Sequence, residues 1–208
     1  MLNQKEILAI LSSTIVLGIL ISLIETWNIF FITTGLILIV ILINIVAKKV
    51  TSFYLETETE ISLWEFKKFW YKKNHKFSKP IPAGILIPLA IKFFSVGLIT
   101  WMACLTFEVK GKIYKAAKRH GLYSFSGVTE EEIGWIATAG IIMNILFSIL
   151  GYVLGYGQFA QLNILYAFFN LIPLSNLDGS KIFFGNKLVW TILAIIASMG
   201  VLGMLVIV

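Results

Sequence analysis

Charged residues are scarce in this chain of 208 residues. Asp, Glu, Lys and Arg make up 13% of it, whereas 58% of the residues are hydrophobic and the mean hydropathy is +0.89. Soluble globular domains carry ~25% charged residues, so water cannot be the only solvent of this chain. Long segments have no charge at all, and the charges are gathered between them. This is the pattern of alternating membrane spans and aqueous loops.

Cysteine, histidine and aspartate are also nearly absent. The one cysteine, Cys104, lies in an apolar run and excludes an internal disulfide. The two histidines, His75 and His120, lie in basic hydrophilic segments, where we expect solvated or headgroup-facing side chains rather than metal ligands. The one aspartate, Asp178, follows an apolar segment. An ionisable residue at membrane depth is costly, so Asp178 is a candidate functional residue.

The formal net charge of +6 could indicate a nucleic-acid partner. The basic residues flank apolar segments, however, where orientation in the bilayer and attraction to anionic lipid headgroups explain them more simply. We therefore expect a lipid bilayer and no nucleic acid as the surroundings of this chain. The sequence predicts a multi-pass integral membrane protein, located in the cell membrane.

The apolar segments predict an all-α membrane protein with about five to six transmembrane or re-entrant helices. The first segment is too long for a signal peptide and has no small-residue cleavage site, so we interpret it as a retained helix. Residues 1–208 are expected to form one polytopic domain, with an N-terminal helix and turn in 1–28, a core in 29–190 and a C-terminal helix in 188–208. The predicted segments are Ile7–Ile24, Ile29–Ala47, Ala83–Leu105, Ile133–Tyr156, Phe159–Pro173 and Leu188–Val208.

The third apolar segment leaves the topology open. Pro88 and Lys92 interrupt it, so we expect it to be kinked, re-entrant or bordered by protein. If the basic cluster Lys48–Lys79 is cytoplasmic, then the cluster Lys110–Arg119 either lies on the other side or the third segment is re-entrant. Within the first cluster, polar and apolar residues alternate in Tyr54–Trp64. This alternation fits a small surface β element and a solvated loop equally well.

Two motifs carry a resemblance to a known family. The run from Asn170 to Gly179, NLIPLSNLDG, resembles the N-x-x-P-x-x-x-L-D-G motif of site-2 proteases, which are intramembrane zinc metalloproteases. In that family the aspartate is the third zinc ligand. The run TAGIIMN, which includes Gly140 and Asn144, is similar to the family's A-G-P-x-x-N element, although Ile141 replaces the proline. Its small residues also have a structural explanation, because they let membrane helices approach closely.

The resemblance covers about Leu42 to Trp190 and implies a core of three helices, but the family's H-E-x-x-H motif is missing. In active members its two imidazoles bind zinc and its glutamate is the general base. The downstream pattern of archaeal-type members places the five positions on residues 44 to 48. The histidine, glutamate and histidine are then replaced by Asn44, Ile45 and Lys48. The resemblance therefore implies a pseudoenzyme with degenerate metal-site positions at Asn44, Ile45, Lys48 and Asp178, with no catalytic residue and no zinc.

If Lys48 stands at a lost ligand position, its ammonium group could pair with Asp178 in the space that zinc occupies in active relatives, joined by Asn44. The alternative is that Lys48 snorkels to the interface with Lys49. Polar residues near Asp178 either clamp an extended backbone, as a protease holds its substrate, or satisfy the irregular backbone at Pro173. The candidate groove residues are Gly140, Asn144, Asn170, Pro173, Ser175 and Asn176.

The sequence therefore favours an inactive site-2-protease-like membrane protein that binds or regulates a transmembrane helix of another protein. One alternative is an active intramembrane metalloprotease with an atypical metal site. Another is a structural or lipid-associated membrane protein, in which Lys92, Lys110 and Lys112 would line a headgroup pocket.

Overall fold

The computed structural model describes residues 3–23, 26–68, 76–112 and 128–207. These residues are mostly helical, because long apolar runs without charge or proline favour helices that bond their own backbone. The described helices are α1 Gln4–Ser22, α2 Trp27–Tyr54, α3 Ala83–Phe94, α4 Glu130–Val153, α5 Gly157–Leu171, α6 Asp178–Gly185 and α7 Lys187–Ile207.

Four helices, α1, α2, α4 and α7, are long and apolar enough to cross a membrane. The prediction of a helical chain with several apolar spans is confirmed to that extent. The predicted fifth segment is a helix of 15 residues, α5. At 1.5 Å per residue it is about 22 Å long, which is shorter than a hydrocarbon core of ~30 Å.

Contacting helices run antiparallel in the pairs α1–α2, α2–α4 and α4–α5. The helix ends therefore lie in two groups, at opposite ends of the molecule. Near the start of α1 and the end of α2, Glu6 and Lys49 form an ion pair of 2.8 Å. Asn144 of α4 donates to the backbone C=O of Val40 in α2, and Ser148 of α4 donates to the C=O of Ala160 in α5. One group therefore contains the start of α1, the end of α2, the start of α4 and the end of α5.

A small sheet lies beside this group of helix ends. We call this end of the molecule the sheet end. Strand β1 (Thr57–Leu63) begins just after α2 and pairs antiparallel with β4 (Leu105–Gly111), while the short strands β2 (Phe66–Lys68) and β3 (Lys76–Ile81) pair with each other. On the face of the sheet that packs on the helices, Thr57, Thr59, Ile61, Leu105 and Phe107 are buried, whereas Glu58 and Glu60 on the other face are exposed. Of the two alternatives for Tyr54–Trp64, a β element and a solvated loop, the structure shows the β element. Its pairing strand β4 was not predicted.

The third apolar segment turns back on itself. Helix α3 has 12 residues, and the chain then returns through residues 100–104 to β4. The two ends meet: Gly84 N–H donates to the C=O of Trp64, and Trp64 N–H donates to the C=O of Cys104. Of the possibilities left open by the sequence, the structure shows an out-and-back hairpin. The residues that flank it, such as Ile81 and Leu105, lie together at the sheet end.

The closure of this hairpin depends on Gly84. A Cβ at this position would lie 2.1 Å from the backbone oxygen of Cys104, whereas a Cβ at Gly35 of α2 meets nothing within 4 Å. We expect Gly84→Ala to lower the free energy of unfolding by about 1–3 kcal/mol, because backbone must move to admit the methyl group. Gly35→Ala should raise it by roughly 0.5–1 kcal/mol, since it removes a helical glycine. Thermal unfolding of both variants in detergent, followed by circular dichroism, measures the difference. Equal stabilities would contradict the described closure.

Candidate functional site

A buried ion pair joins α2 to α6. Lys48 Nζ lies 2.6 Å from Asp178 Oδ2, and the side chains of Lys48 and Asp178 are 5% and 0% exposed. Of the two alternatives for Lys48, pairing with Asp178 and snorkelling to an interface, the structure shows the pairing. Its neighbour Lys49 points to Glu6 instead.

Two glycines make room for this pair. A Cβ at Gly140 of α4 would lie 2.8 Å from both Lys48 Cε and Asn44 Nδ2. A Cβ at Gly179 would lie 2.0 Å from the backbone oxygen of Leu171, where α5 ends. Gly140 thus leaves the space through which the lysine side chain extends. Gly179 lets the start of α6 approach the end of α5, which places the carboxylate of Asp178 in the interior.

Asn44 does not bridge the ion pair, which corrects that part of the prediction. Its Nδ2 donates to Asn144 Oδ1 at 2.7 Å, and Asn144 Nδ2 donates to Asn163 Oδ1 at 3.0 Å. The three amides form a chain that connects α2, α4 and α5, because an unpaired amide in an apolar interior is costly. Asn163 lies within the predicted apolar segment Phe159–Pro173 and was not among the predicted site residues. Ile45, the position of the lost glutamate, packs in the hydrophobic core.

The predicted groove residues fall into two groups. Gly140, Asn144 and Asn170 are interior, and Asn170 Nδ2 donates to the C=O of Tyr166 in its own helix. Pro173, Ser175 and Asn176 are exposed on the loop between α5 and α6. The interior group is engaged in contacts within and between helices. Only the exposed group is accessible to another molecule.

Lys181 is a member of the site that the sequence analysis missed. Its Nζ donates to Thr106 Oγ1 at 3.2 Å and to the C=O of Phe107. Both lysine side chains lie near the Phe107 ring, whose centroid is 3.6 Å from Lys181 Nζ and 4.9 Å from Lys48 Nζ. Burial lowers the pKa of Lys181 to about 7, with a smaller effect of Lys48 in the same direction and an opposing effect of Asp178. The i, i+3 spacing of Asp178 and Lys181 was the available signal, since it places both on one helix face.

An open cavity of about 800 Å³ lies beside the site at the sheet end. Its floor is the polar face of the β1–β4 sheet, and its wall is the α5–α6 loop. Thr106 Oγ1 on the floor donates to the C=O of Asn176 at 2.5 Å, so floor and wall are joined. The lining residues are mainly polar: Asn3, Lys5, Glu6, Glu60, Ile61, Ser62, Leu63, Glu65, Phe66, Thr106, Glu108, Lys110, Ser175 and Asn176.

The outer edge of β1 is capped by side chains. In the antiparallel register the even-numbered residues of β1 bond to β4, so the odd-numbered residues direct their backbone groups outward. Three of these groups have partners from α1 and α2: Ile61 N–H donates to Glu6, Lys49 donates to the C=O of Thr59, and Ser52 donates to the C=O of Thr57. An added strand would have to displace these partners.

Two oxygen atoms at this site could face a cation: Asp178 Oδ1 and Asn44 Oδ1 are buried without a hydrogen-bond partner among the described residues, whereas Asp178 Oδ2 is bound by the Lys48 ammonium group at 2.6 Å. Two oxygens are fewer than the three or four protein ligands of a typical zinc site. Ile45 offers no ligand atom. Within the four described ranges, no three or more His, Cys, Asp or Glu residues group closely enough to hold a metal. His75 and His120 lie outside these ranges.

Comparison with models of protein families, with curated proteins and with solved structures finds no match to this chain. The interpretation of the site therefore depends on its own geometry. Membership of the site-2 protease family stays a prediction.

The ion pair predicts a strong energetic coupling between Lys48 and Asp178. Lys48→Met should destabilise the fold by about 3–5 kcal/mol, because it leaves a buried carboxylate without a counter-ion. Lys48→Met combined with Asp178→Asn should recover most of that loss. Chemical unfolding in detergent micelles measures the free energies of this double-mutant cycle. The exposed pair Lys110 and Glu60 is the control, and each single change there should cost less than about 1 kcal/mol. Additive effects of the Lys48 and Asp178 changes would contradict the pairing.

Lys181 predicts a specific dependence of stability on pH. Its pKa falls from 10.5 to about 7 in the folded protein, so the unfolded chain holds this proton more tightly. Stability should therefore rise with pH between these two values. The rise should be smaller in Lys181→Met and unchanged in Lys187→Met, which alters an exposed lysine. Unfolding temperatures measured across this range test the expectation, and equal pH slopes for wild type and Lys181→Met would exclude it.

Proposed function

We propose that this chain is a catalytically inactive, site-2-protease-like integral membrane protein that binds and thereby regulates a segment of another membrane protein. The observation that supports this proposal is the Lys48–Asp178 ion pair, in which an ammonium group binds Oδ2, one of the two oxygens of the carboxylate at the expected third ligand position. The resemblance assigns both residues to metal-ligand positions. A cation of the protein itself then takes the place of the metal.

Restoring the missing motif tests this proposal. The triple variant Asn44→His, Ile45→Glu and Lys48→His rebuilds H-E-x-x-H on α2, facing the carboxylate of Asp178. It should bind zinc stoichiometrically in detergent, as measured by elemental analysis, and the further change Asp178→Asn should abolish that binding. Wild type should contain no zinc. A folded triple variant without zinc would contradict the resemblance, and Asp178-dependent zinc in wild type would favour the atypical metalloprotease.

The proposed membrane orientation follows from the charge distribution. At the end opposite the sheet, the described residues that adjoin the helix ends are Leu23, Thr26 and residues 154–156, and none of them is Lys or Arg. At the sheet end lie the basic residues Lys5, Lys49, Lys110 and Lys187. Because cytoplasmic segments carry the excess of Lys and Arg, the sheet end faces the cytoplasm of a cell-membrane protein.

The cavity indicates the chemistry of the bound segment. Among the described residues it is lined by the carboxylates of Glu6, Glu60, Glu65 and Glu108 and by Lys5 and Lys110. Glu6 pairs with Lys49 and Glu60 pairs with Lys110, so the four carboxylates face three lysines. Transmembrane helices of other proteins are flanked on the cytoplasmic side by Lys and Arg. We therefore assign the cavity to a basic juxtamembrane segment, and the capped edge of β1 makes contact through side chains more favourable than strand addition.

Photo-crosslinking tests this partner chemistry. A photoreactive residue at the exposed position Asn176, in membranes of the source cells, should crosslink to membrane proteins with basic juxtamembrane segments. The charge reversal Glu65→Lys in the cavity should abolish these adducts, whereas Glu131→Lys, an exposed change at the start of α4, should not. Equal adduct yields with Glu65→Lys and Glu131→Lys would exclude the cavity as the binding site.

The structure gives less support to a lipid-headgroup pocket. Lys92 donates to Thr100 within the hairpin, Lys110 pairs with Glu60, and Lys112 lies over the ring of Phe53. Each lysine has a separate partner, so the three do not line one pocket.

A further inference from the structure

Large apolar side chains are highly exposed at the tip of the hairpin that residues 84–104 form. Phe93, Phe94, Val96 and Leu98 are 80%, 82%, 89% and 88% exposed. In water, such a cluster of large apolar side chains would be unfavourable and would promote association. An apolar medium or partner must therefore cover the tip.

The backbone of the tip satisfies its own hydrogen-bond donors. Helix α3 ends in a Schellman motif, in which Gly97 N–H donates to the C=O of Lys92 and Val96 N–H donates to the C=O of Phe93. Leu98 N–H donates to the C=O of Ser95, and Ile99 N–H donates to the Ser95 hydroxyl. Every N–H from residue 95 to residue 99 thus has a partner in the turn. Backbone in contact with hydrocarbon requires this arrangement, because lipid offers no acceptors.

The one charge near the tip is also engaged inside the hairpin. Lys92 Nζ donates to the hydroxyl of Thr100 on the returning segment, at 2.8 Å. The returning residues Trp101–Cys104 are buried against α3 and the end of α5, with the rings of Trp101 and Phe169 5.2 Å apart. The irregular part of the hairpin is therefore covered by protein, and only apolar side chains project from it.

The position of the hairpin indicates the direction in which it extends. Both of its ends lie at the sheet end, and α3 packs along α1, one of the four helices long enough to span a membrane. Twelve residues of helix extend about 18 Å, which is close to half of a hydrocarbon core of ~30 Å plus its interface. A hairpin of this length reaches into one leaflet and returns.

We propose that residues 84–104 form a re-entrant hairpin whose tip, Phe93 to Leu98, contacts the lipid acyl chains of the leaflet next to the sheet. Acyl chains fit the tip because its side chains are apolar and its backbone donors are already paired. A protein partner would find no free N–H in this turn to bond.

Spin-label accessibility in lipid vesicles tests the proposal on the full chain. Labels are attached at Val96→Cys or Leu98→Cys, with Cys104 left in place because it is fully buried. Two reference positions bracket the result: Glu58→Cys on the exposed face of β1, and Ile195→Cys on the exposed side of α7. The measured quantity is the ratio of collision rates with oxygen, which dissolves in lipid, and with a water-soluble nickel complex.

Both tip labels should give a ratio severalfold higher than the Glu58 label and similar to that of the Ile195 label. A ratio equal to that of Glu58 would overturn the proposal, because the tip would then lie in water. Spectral broadening between labelled copies, lost on dilution with unlabelled protein, would also overturn it, since a second copy would then cover the tip. These results do not depend on the zinc or crosslinking experiments, so the two proposals fail separately.

Discussion

The buried ion pair between Lys48 and Asp178 constrains the interior of this protein. Neither charge is stable alone in an apolar core, so each requires the other within hydrogen-bond distance. That requirement explains the glycine at position 140, which leaves space for the lysine side chain, and the glycine at 179, which lets α6 approach α5. Helix α2 also continues past Lys48 to Tyr54, so Lys48 lies within the helix although hydropathy predicts an end at Ala47.

Much of the fold could be predicted because long apolar runs favour long helices. The helices α1, α2, α4, α5 and α7 each overlap a predicted segment. Their ends differ from the predicted ones by one to three residues, except that α2 ends seven residues later than predicted. The predictions were weakest where pairing partners are distant in sequence. Strand β4 adjoins an apolar run and is recognisable only from its pairing with β1, about fifty residues earlier. The hairpin could not be distinguished from a kinked span, because its closure depends on the contact of Gly84 with Cys104.

In the candidate site, too, features marked by local sequence could be predicted, whereas contacts between distant segments could not. Asp178 and Lys48 could be found from a lone aspartate and a motif position, and their pairing is confirmed. Asn44 was assigned the wrong partner, because an amide can bond to any of several neighbours and only the packing of α2 on α4 selects Asn144. Lys181 was missed because a lysine at a helix surface usually faces solvent. The resulting cluster of two lysines, one carboxylate and the Phe107 ring is a structural centre, and the exposed polar cavity beside it is the part accessible to a partner.

The most direct test of this account is solid-state NMR of the Asp178 carboxylate in lipid. Asp178 is the only aspartate in the chain, so ¹³C labelling of aspartate side chains gives a single resonance. The ¹³C chemical shift of the carboxyl carbon reports whether the group is ionised. The rate at which ¹⁵N-labelled lysine side chains dephase this ¹³C signal reports the distance from the carboxyl carbon to Nζ. The account predicts an ionised carboxylate at neutral pH with strong dephasing that is greatly reduced in Lys48→Met. A protonated carboxylate, or dephasing unchanged by Lys48→Met, would contradict it.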